Sequence, residues 1–215
     1  MNQDVRIEPH ELRPYFRALA AMVAADHDVT AEEEQQFQQF LDQHSVPPDV
    51  SADVMRALHD PGDPTEVVAE LRGSPARFSL YLDALALAWA DNVVVEQERR
   101  LLDELRDALT ISTDEAGVLE NLYLAARKVA DAGENANEKQ KQALKDAVAK
   151  AAGVGVPVAA VAASSTVGLG TAGIVSGLTA LGFGMGMLPG IGTAVLLGFG
   201  SYKAVKWLLK KKPSR

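Results

Sequence analysis

The sequence predicts an all-helical protein in which a helical bundle is followed by a linker helix and a glycine-rich two-helix transmembrane hairpin. Apolar residues recur at helical spacing through the first 131 residues, and no segment alternates with a period of two. All 29 acidic residues lie before Lys150. From there to Lys203, 52 residues carry no charged side chain, and 13 of the 17 glycines fall among them. We call residues 151–202 the uncharged run.

Seven helices are predicted for the first part from the spacing of apolar residues and from the turn residues between them. Thr30 followed by Glu33 is typical of a capping box at the start of the second helix. The strongly apolar fifth helix is expected at the centre, and a chain of this length can bury a core. The predicted helices cover residues 9–25, 31–43, about 48–59, about 65–72, 76–90, about 96–109 and about 113–131.

The remaining chain is predicted to form a linker and a hairpin. Residues 132–152 are polar at first and then rich in alanine and lysine, which favours a linker helix that carries the bundle to a membrane surface. The uncharged run is long enough for two membrane spans, each of which needs roughly 20 apolar residues. We expect the spans over about 154–176 and about 188–209. The predicted domains are therefore 1–131, 132–152 and 153–215.

Small residues in the uncharged run are spaced as in packed membrane helices. Gly173 and Gly177 lie four positions apart, and so do Gly186 and Gly190. This spacing lets helix backbones approach closely, and it predicts a homo-oligomer. Gly168 opens a G-x-G-x-x-G pattern, but no acidic residue follows it, so we reject a dinucleotide site. The alternative is a glycine-rich apolar tail that packs on the bundle or in an oligomer core.

The end of the second span carries side chains typical of a cytoplasmic membrane interface. Tyr202 and Trp207 are predicted aromatic anchors, and the lysines beside them can reach lipid headgroups. These lysines are Lys203, Lys210, Lys211 and Lys212. Six basic residues and no acid follow the uncharged run, and the positive-inside rule places them in the cytoplasm. The N-terminus has no apolar leader. We therefore expect an inner-membrane protein with the bundle and the tail on the cytoplasmic side.

The composition argues against several classes of function. There is no cysteine, which excludes disulfides and thiolate metal sites. The first 150 residues carry 15 basic side chains against 29 acidic ones, which is unsuited to binding nucleic acid. Four histidines are scattered, and no hydrolase, metalloprotease or phosphate-binding motif is found. The sequence therefore predicts that the protein is not an enzyme.

A nine-residue pattern occurs twice, each time between two predicted helices. Residues 25–33 read ADHDVTAEE and residues 90–98 read ADNVVVEQE, so both contain A-D-[HN]-x-V-x-x-x-E at a separation of 65. We call these the first and the second junction. The repeat resembles the TerB family of tellurite-resistance-associated proteins, which carry repeated A-D-G-x-V-x-x-x-E junctions.

The resemblance covers about residues 10–130 and implies a compact helical bundle in which the two junctions lie close together. It also implies metal binding through acidic residues and a place in membrane-associated stress or phage-defence complexes. By this resemblance, Asp26 and Glu33 match the acids of the first junction. Asp91 and Glu98 match those of the second.

The carboxylates of the junctions allow two interpretations. As ligands they would bind Ca²⁺ or Mg²⁺, hard cations that prefer oxygen donors. The candidate metal ligands are Asp26, Asp28, Glu33, Asp91 and Glu98. Alternatively, the aspartates cap helices and the glutamates complement helix dipoles in the first turn.

The expected function is that of a membrane-tethered sensor or adaptor in a stress or phage-defence response. The bundle would receive a metal ion or an unknown protein partner as its signal, and the hairpin would anchor the chain in the bilayer and self-associate. One alternative is a membrane-permeabilising effector, as in abortive infection, regulated by the bundle. Another is a soluble acidic metal-binding stress protein.

Overall fold

A computed structural model describes residues 8–24, 29–43, 46–60, 62–89, 94–132 and 135–157. Every regular element within these ranges is a helix, which confirms the all-helical class. The helices are α1 (Leu12–Ala24), α2 (Ala31–Gln43), α3 (Pro48–Ala57), α4 (Pro64–Val67), α5 (Ala76–Ala88), α6 (Glu96–Ala108), α7 (Thr113–Ala132) and α8 (Glu138–Gly153), with a 3₁₀ turn (Ala69–Leu71) before α5. The single helix predicted for residues 65–72 is thus wrong, since α4 and the 3₁₀ turn divide that stretch.

The first three helices recur as α5, α6 and α7, at or within one residue of the separation of the sequence repeat. The starts of α2 and α6 lie 65 residues apart, as do their ends and the starts of α3 and α7. Backbone hydrogen bonds recur as well, since the Val46 N–H donates to the Leu41 carbonyl at 3.1 Å. At the matching place after α6, the Ile111 N–H donates to the Arg106 carbonyl at 3.0 Å. The bundle is therefore an internal duplication of a three-helix unit.

α5 lies at the centre of the bundle. Every residue from Phe78 to Ala88 is buried, and the helix packs on α1, α6 and α7. Burying a large apolar side chain stabilises a fold by roughly 1.5–3 kcal/mol, so this helix contributes much of the core. Among the described residues, Val154 is the only large apolar side chain that is exposed, at 39%. The other large apolar side chains in these ranges are buried or half-buried.

In the stretch predicted to be a linker helix, α8 packs along α7. Its apolar face is buried through Leu144, Ala147, Val148 and Ala151. Helices joined by a connection as short as residues 133–137 run antiparallel. α8 thus adds its apolar face to the core of the bundle.

α8 ends in a helix stop that separates it from the rest of the uncharged run. Gly155 has a φ of 94°, a backbone conformation that favours glycine. The Gly155 N–H donates to the Ala152 carbonyl at 3.2 Å, and the Val156 N–H donates to the Ala151 carbonyl at 3.0 Å. These two bonds form a Schellman motif, and Val156 packs into the core. The first predicted span therefore does not begin at about 154, because residues 154–157 close α8.

No helix within the described ranges is long and apolar enough to cross a membrane. Both predicted spans lie, from residue 158 onward, outside the described residues. The same holds for the predicted packing glycines and interface anchors, Gly168, Gly173, Gly177, Gly186, Gly190, Tyr202, Lys203, Trp207, Lys210, Lys211 and Lys212.

Candidate functional site

The structure describes only part of the predicted metal site. Asp26, Asp28 and Asp91 lie outside the described residues, and so does the side chain of Glu33, whose backbone occupies the third position of α2. Glu98 is the candidate whose side chain is described. Among the described residues, no group of three or more histidine, cysteine, aspartate or glutamate side chains is arranged to hold a metal ion.

Glu98 caps the start of α6. It is the third residue of that helix, and its Oε2 accepts a hydrogen bond from the Val95 N–H at 2.8 Å. This N–H precedes the helix and has no partner within it, so the carboxylate supplies one. The geometry matches the helix-capping interpretation for this residue.

Four side chains fasten the second junction to α7. The Trp89 Nε1–H donates to Glu120 Oε1 at 3.3 Å, and Arg99 Nη2 donates to the same oxygen at 3.1 Å. Arg127 donates from Nη1 to the Trp89 carbonyl. We call Trp89, Arg99, Glu120 and Arg127 the Trp89 clamp. It joins the end of α5 and the start of α6 to α7, and so fixes both ends of the second junction.

Both guanidinium groups of the clamp are paired with carboxylates. The hydrogen bond that Arg99 donates to Glu120 raises the pKa of Arg99. Burial, together with the charge of Glu120, raises the pKa of Tyr81 to about 12. The Arg127 side chain is only 10% exposed, and its Nε lies 3.8 Å from Asp131 Oδ2. Two carboxylates beside the second junction, Glu98 and Glu120, are thus already engaged, by the Val95 N–H and by Arg99.

The residues of this clamp are not repeated in the sequence around the first junction. The positions 65 residues before the clamp hold Ala24, Glu34, Met55 and Gly62, none of which matches the side chain it replaces. Instead, His59 Nε2 lies 3.6 Å from Glu34 Oε2, and both side chains are about half exposed. The sequence repeat therefore does not extend to the side chains that support its two junctions.

A buried polar pair joins the two halves of the duplication. The Tyr15 hydroxyl on α1 donates to Asp83 Oδ2 on α5 at 2.6 Å, and both residues are 0% exposed. Burial raises the pKa of Asp83 well above its usual range. Burial, and then the charge of Asp83, raise the pKa of Tyr15. Within the described part of the chain, Asp83 Oδ1 has no hydrogen-bond partner.

Sequence reasoning did not single out this pair, although one signal was present. Asp83 is the single acidic residue in the strongly apolar segment 76–90, and a lone acid there indicates a buried carboxyl group. Nothing in the sequence identifies Tyr15 as its partner, because the two residues lie 68 positions apart.

The duplicated all-helical bundle, with an A-D junction in each half, has the features of a TerB-like domain. A family sequence model matches residues 6–123, and it describes the proteins of unknown function called DUF533. The chain belongs to the DUF533 family, since the match covers more than half of its length. No curated protein and no solved structure matches the chain.

This match corrects the resemblance to the tellurite-resistance TerB family. DUF533 is a TerB-like family, so the shared bundle stands, but the assignment to TerB itself is wrong. The expectations of metal binding and of phage defence rested partly on the resemblance to TerB. That part of their support is removed. The ligand set remains a prediction from the residues alone.

Proposed function

We propose that this chain is a membrane-tethered adaptor, in which the helical bundle binds a partner and the uncharged run anchors the chain and self-associates. The observation that carries the proposal is the uncharged run, which follows a bundle whose described large apolar side chains are buried or half-buried, with Val154 as the exception. Such a bundle offers the uncharged run little apolar surface on which to pack. A bilayer is the environment that accommodates 52 residues without a charge.

The charge distribution supports the same arrangement. The basic tail follows the uncharged run directly, and anionic headgroups of the cytoplasmic leaflet attract such a tail. The acidic bundle precedes the run. An even number of spans keeps both on the cytoplasmic side, with the bilayer and a second copy of the chain as partners of the run.

The Trp89 clamp bears on the signal that the bundle receives. Since Glu98 caps α6 and Glu120 is paired with Arg99, these carboxylates are already engaged, and we favour a protein partner over Ca²⁺ or Mg²⁺ at the second junction.

Carbonate extraction of the full-length chain from membranes tests the anchor. We expect the chain to resist extraction. The double substitution V167K/L197K, which places one lysine near the middle of each predicted span, is expected to release it, because a lysine near the centre of a span costs roughly 3 kcal/mol. The matched control is Val154→Lys, which places the same charge at an exposed position of the bundle and leaves extraction unchanged. Release of the unsubstituted chain by carbonate would contradict the proposal.

Membrane potential separates the adaptor from the permeabilising effector. An adaptor leaves the potential of cells that express the full-length chain unchanged. Collapse of the potential, reversed by V167K/L197K, would replace the adaptor with an effector whose activity lies in the uncharged run.

A further inference from the structure

The point at which the chain leaves the bundle is fixed. Val156 is buried at 2% exposure, and the two hydrogen bonds of the Schellman motif fix the backbone of Gly155 and Val156. The remaining uncharged run begins after Pro157, so no polar linker separates it from the bundle. Because one residue spans at most about 3.6 Å, the bundle lies close to the environment that binds the uncharged run.

The contacts of the described helices show which end of the bundle carries this exit. Gln140 Nε2 donates to the Lys128 carbonyl at 3.4 Å across the α7–α8 connection, in keeping with antiparallel helices. The end of α8 therefore lies beside the start of α7. The end of α6 lies in the same region, since α6 directly precedes α7. Arg72 Nε donates to the Ala108 carbonyl at 2.8 Å, so the loop before α5 lies there as well. We call residues 109–115 and 150–157 the tethered end.

The second junction lies away from the tethered end. Arg127, which holds the Trp89 carbonyl, is roughly 20 Å along α7 from Thr113 at a rise of 1.5 Å per residue. Glu98 lies in the first turn of α6, whereas the tethered end begins just after its last turn.

We infer that the bundle stands on the lipid bilayer by its tethered end, so that the second junction and the Trp89 clamp face the solvent. The inference rests on the proposed membrane anchor, and it adds the face that meets the lipid headgroups. It also identifies the opposite end as the surface open to a protein partner.

The tether, and not the charge, decides this orientation. Arg72 and Lys150 are exposed at or beside the tethered end and suit lipid phosphates. Asp107, Asp114 and Glu115 lie in the same region and carry the opposite charge. Because charges of both signs meet here, what selects the face is the short connection through Pro157.

Fluorescence quenching by a headgroup-attached nitroxide lipid tests the orientation in the full-length chain. The chain has no cysteine, so single cysteines can carry the fluorophore at exposed positions. Ala152→Cys reports on the tethered end, Asn135→Cys on the opposite end and Gln97→Cys on the second junction. In vesicles of mixed neutral and anionic phospholipid, we expect quenching at Ala152 to be at least twofold stronger than at the other two positions.

The outcomes separate the orientation from the anchor. A chain that floats with the vesicles and resists carbonate, yet shows equal or reversed quenching, overturns the orientation and leaves the anchor standing. A chain that carbonate releases from the vesicles overturns both.

A matched variant tests whether the short tether is the cause. Ten glycine and serine residues inserted after Pro157 lengthen the connection by an average reach of roughly 17 Å. Quenching at Ala152 is then expected to fall to the level at Asn135, while resistance to carbonate stays unchanged. Unchanged quenching at Ala152 in this variant would overturn the inference.

Discussion

At the scale of single residues, Asp83 links the stability of the bundle to pH. Because burial raises its pKa, the folded chain keeps a proton at pH values where the unfolded chain has lost it. The contribution of Asp83 to stability is complete below the unfolded pKa of about 4. It declines as the pH rises toward the folded pKa, by at most about 1.4 kcal/mol per pH unit.

Asp83→Asn is expected to remove this dependence, because an amide does not titrate. The measurement is urea denaturation between about pH 5 and about pH 8, followed through Trp89 fluorescence in a Trp207→Phe background. The control Asp146→Asn changes an exposed residue of α8 and is expected to keep the slope. An equal slope in the Asp83→Asn chain would show that another group is responsible.

Tyr15→Phe tests the other half of the pair. Removing the hydroxyl leaves Asp83 Oδ2 without the donor at 2.6 Å, and a buried polar atom left unpaired costs about 1–3 kcal/mol. The free energy of unfolding at neutral pH is expected to fall by that amount. In an Asp83→Leu background the same substitution should cost much less. Equal costs in the two backgrounds would mean that the hydrogen bond does not stabilise the bundle.

At the scale of elements, two neighbouring glycines at the end of α8 are expected to respond in opposite ways to alanine. Apart from its chain neighbours and the backbone of its own helix, a Cβ added at Gly153 or Gly155 meets no described atom within 4 Å, so steric clashes play no part. Gly155→Ala places a Cβ at a φ of 94° and should destabilise α8 by roughly 1–2 kcal/mol.

Gly153→Ala is the matched control, since it lies in the last turn of α8 and should stabilise that helix by up to about 1 kcal/mol. Hydrogen exchange of the α8 amides measures both effects. Equal effects of the two substitutions would show that α8 does not end in the Schellman motif.

The period of the apolar residues predicted most helices. The division of residues 65–72 and the contact of α8 with α7 depend on packing, which the period does not show. The helix predicted for residues 31–43 has the same bounds in the structure, because its apolar stripe is clear and Thr30 marks its start. For residues 65–72 the stretch is short, and the structure divides it into α4 and a 3₁₀ turn. The docking of α8 on α7 carries little signal, since Ala147 and Ala151 in its buried face are small.

The candidate site was predictable only where its contacts are local. Glu98 lies three residues from Val95, and capping was one of the two interpretations of its carboxylate. The Trp89 clamp joins residues 21 to 38 positions apart, and a single sequence does not show which of its arginines and glutamates meet. Packing of α6 and α7 on α5 creates that site.

At the scale of the whole molecule, α8 is expected to open before the rest of the bundle. It packs mainly on α7 and lies beyond the duplicated unit, whereas α5 packs on three other helices. Leu144→Ala should lower the opening free energy of the α8 amides by about 2–5 kcal/mol and leave those of α5 unchanged.

Leu82→Ala, a matched change at the centre of α5, should lower the opening free energy of every helix. Native-state hydrogen exchange measures both variants. If Leu144→Ala lowered the values for α5 as much as those for α8, the bundle would open as one unit.

The helix stop at Gly155 also determines how a mechanical load enters the protein. The hydrogen-bond ladder of α8 ends there, so the bundle is joined to the following segment through the buried Val156 and not through a continuous helix. A pull on the same segment acts first on Val156 and then on the last turn of α8. α8 would then detach from α7 one turn at a time, and the load would reach the Trp89 clamp only after α8 had detached.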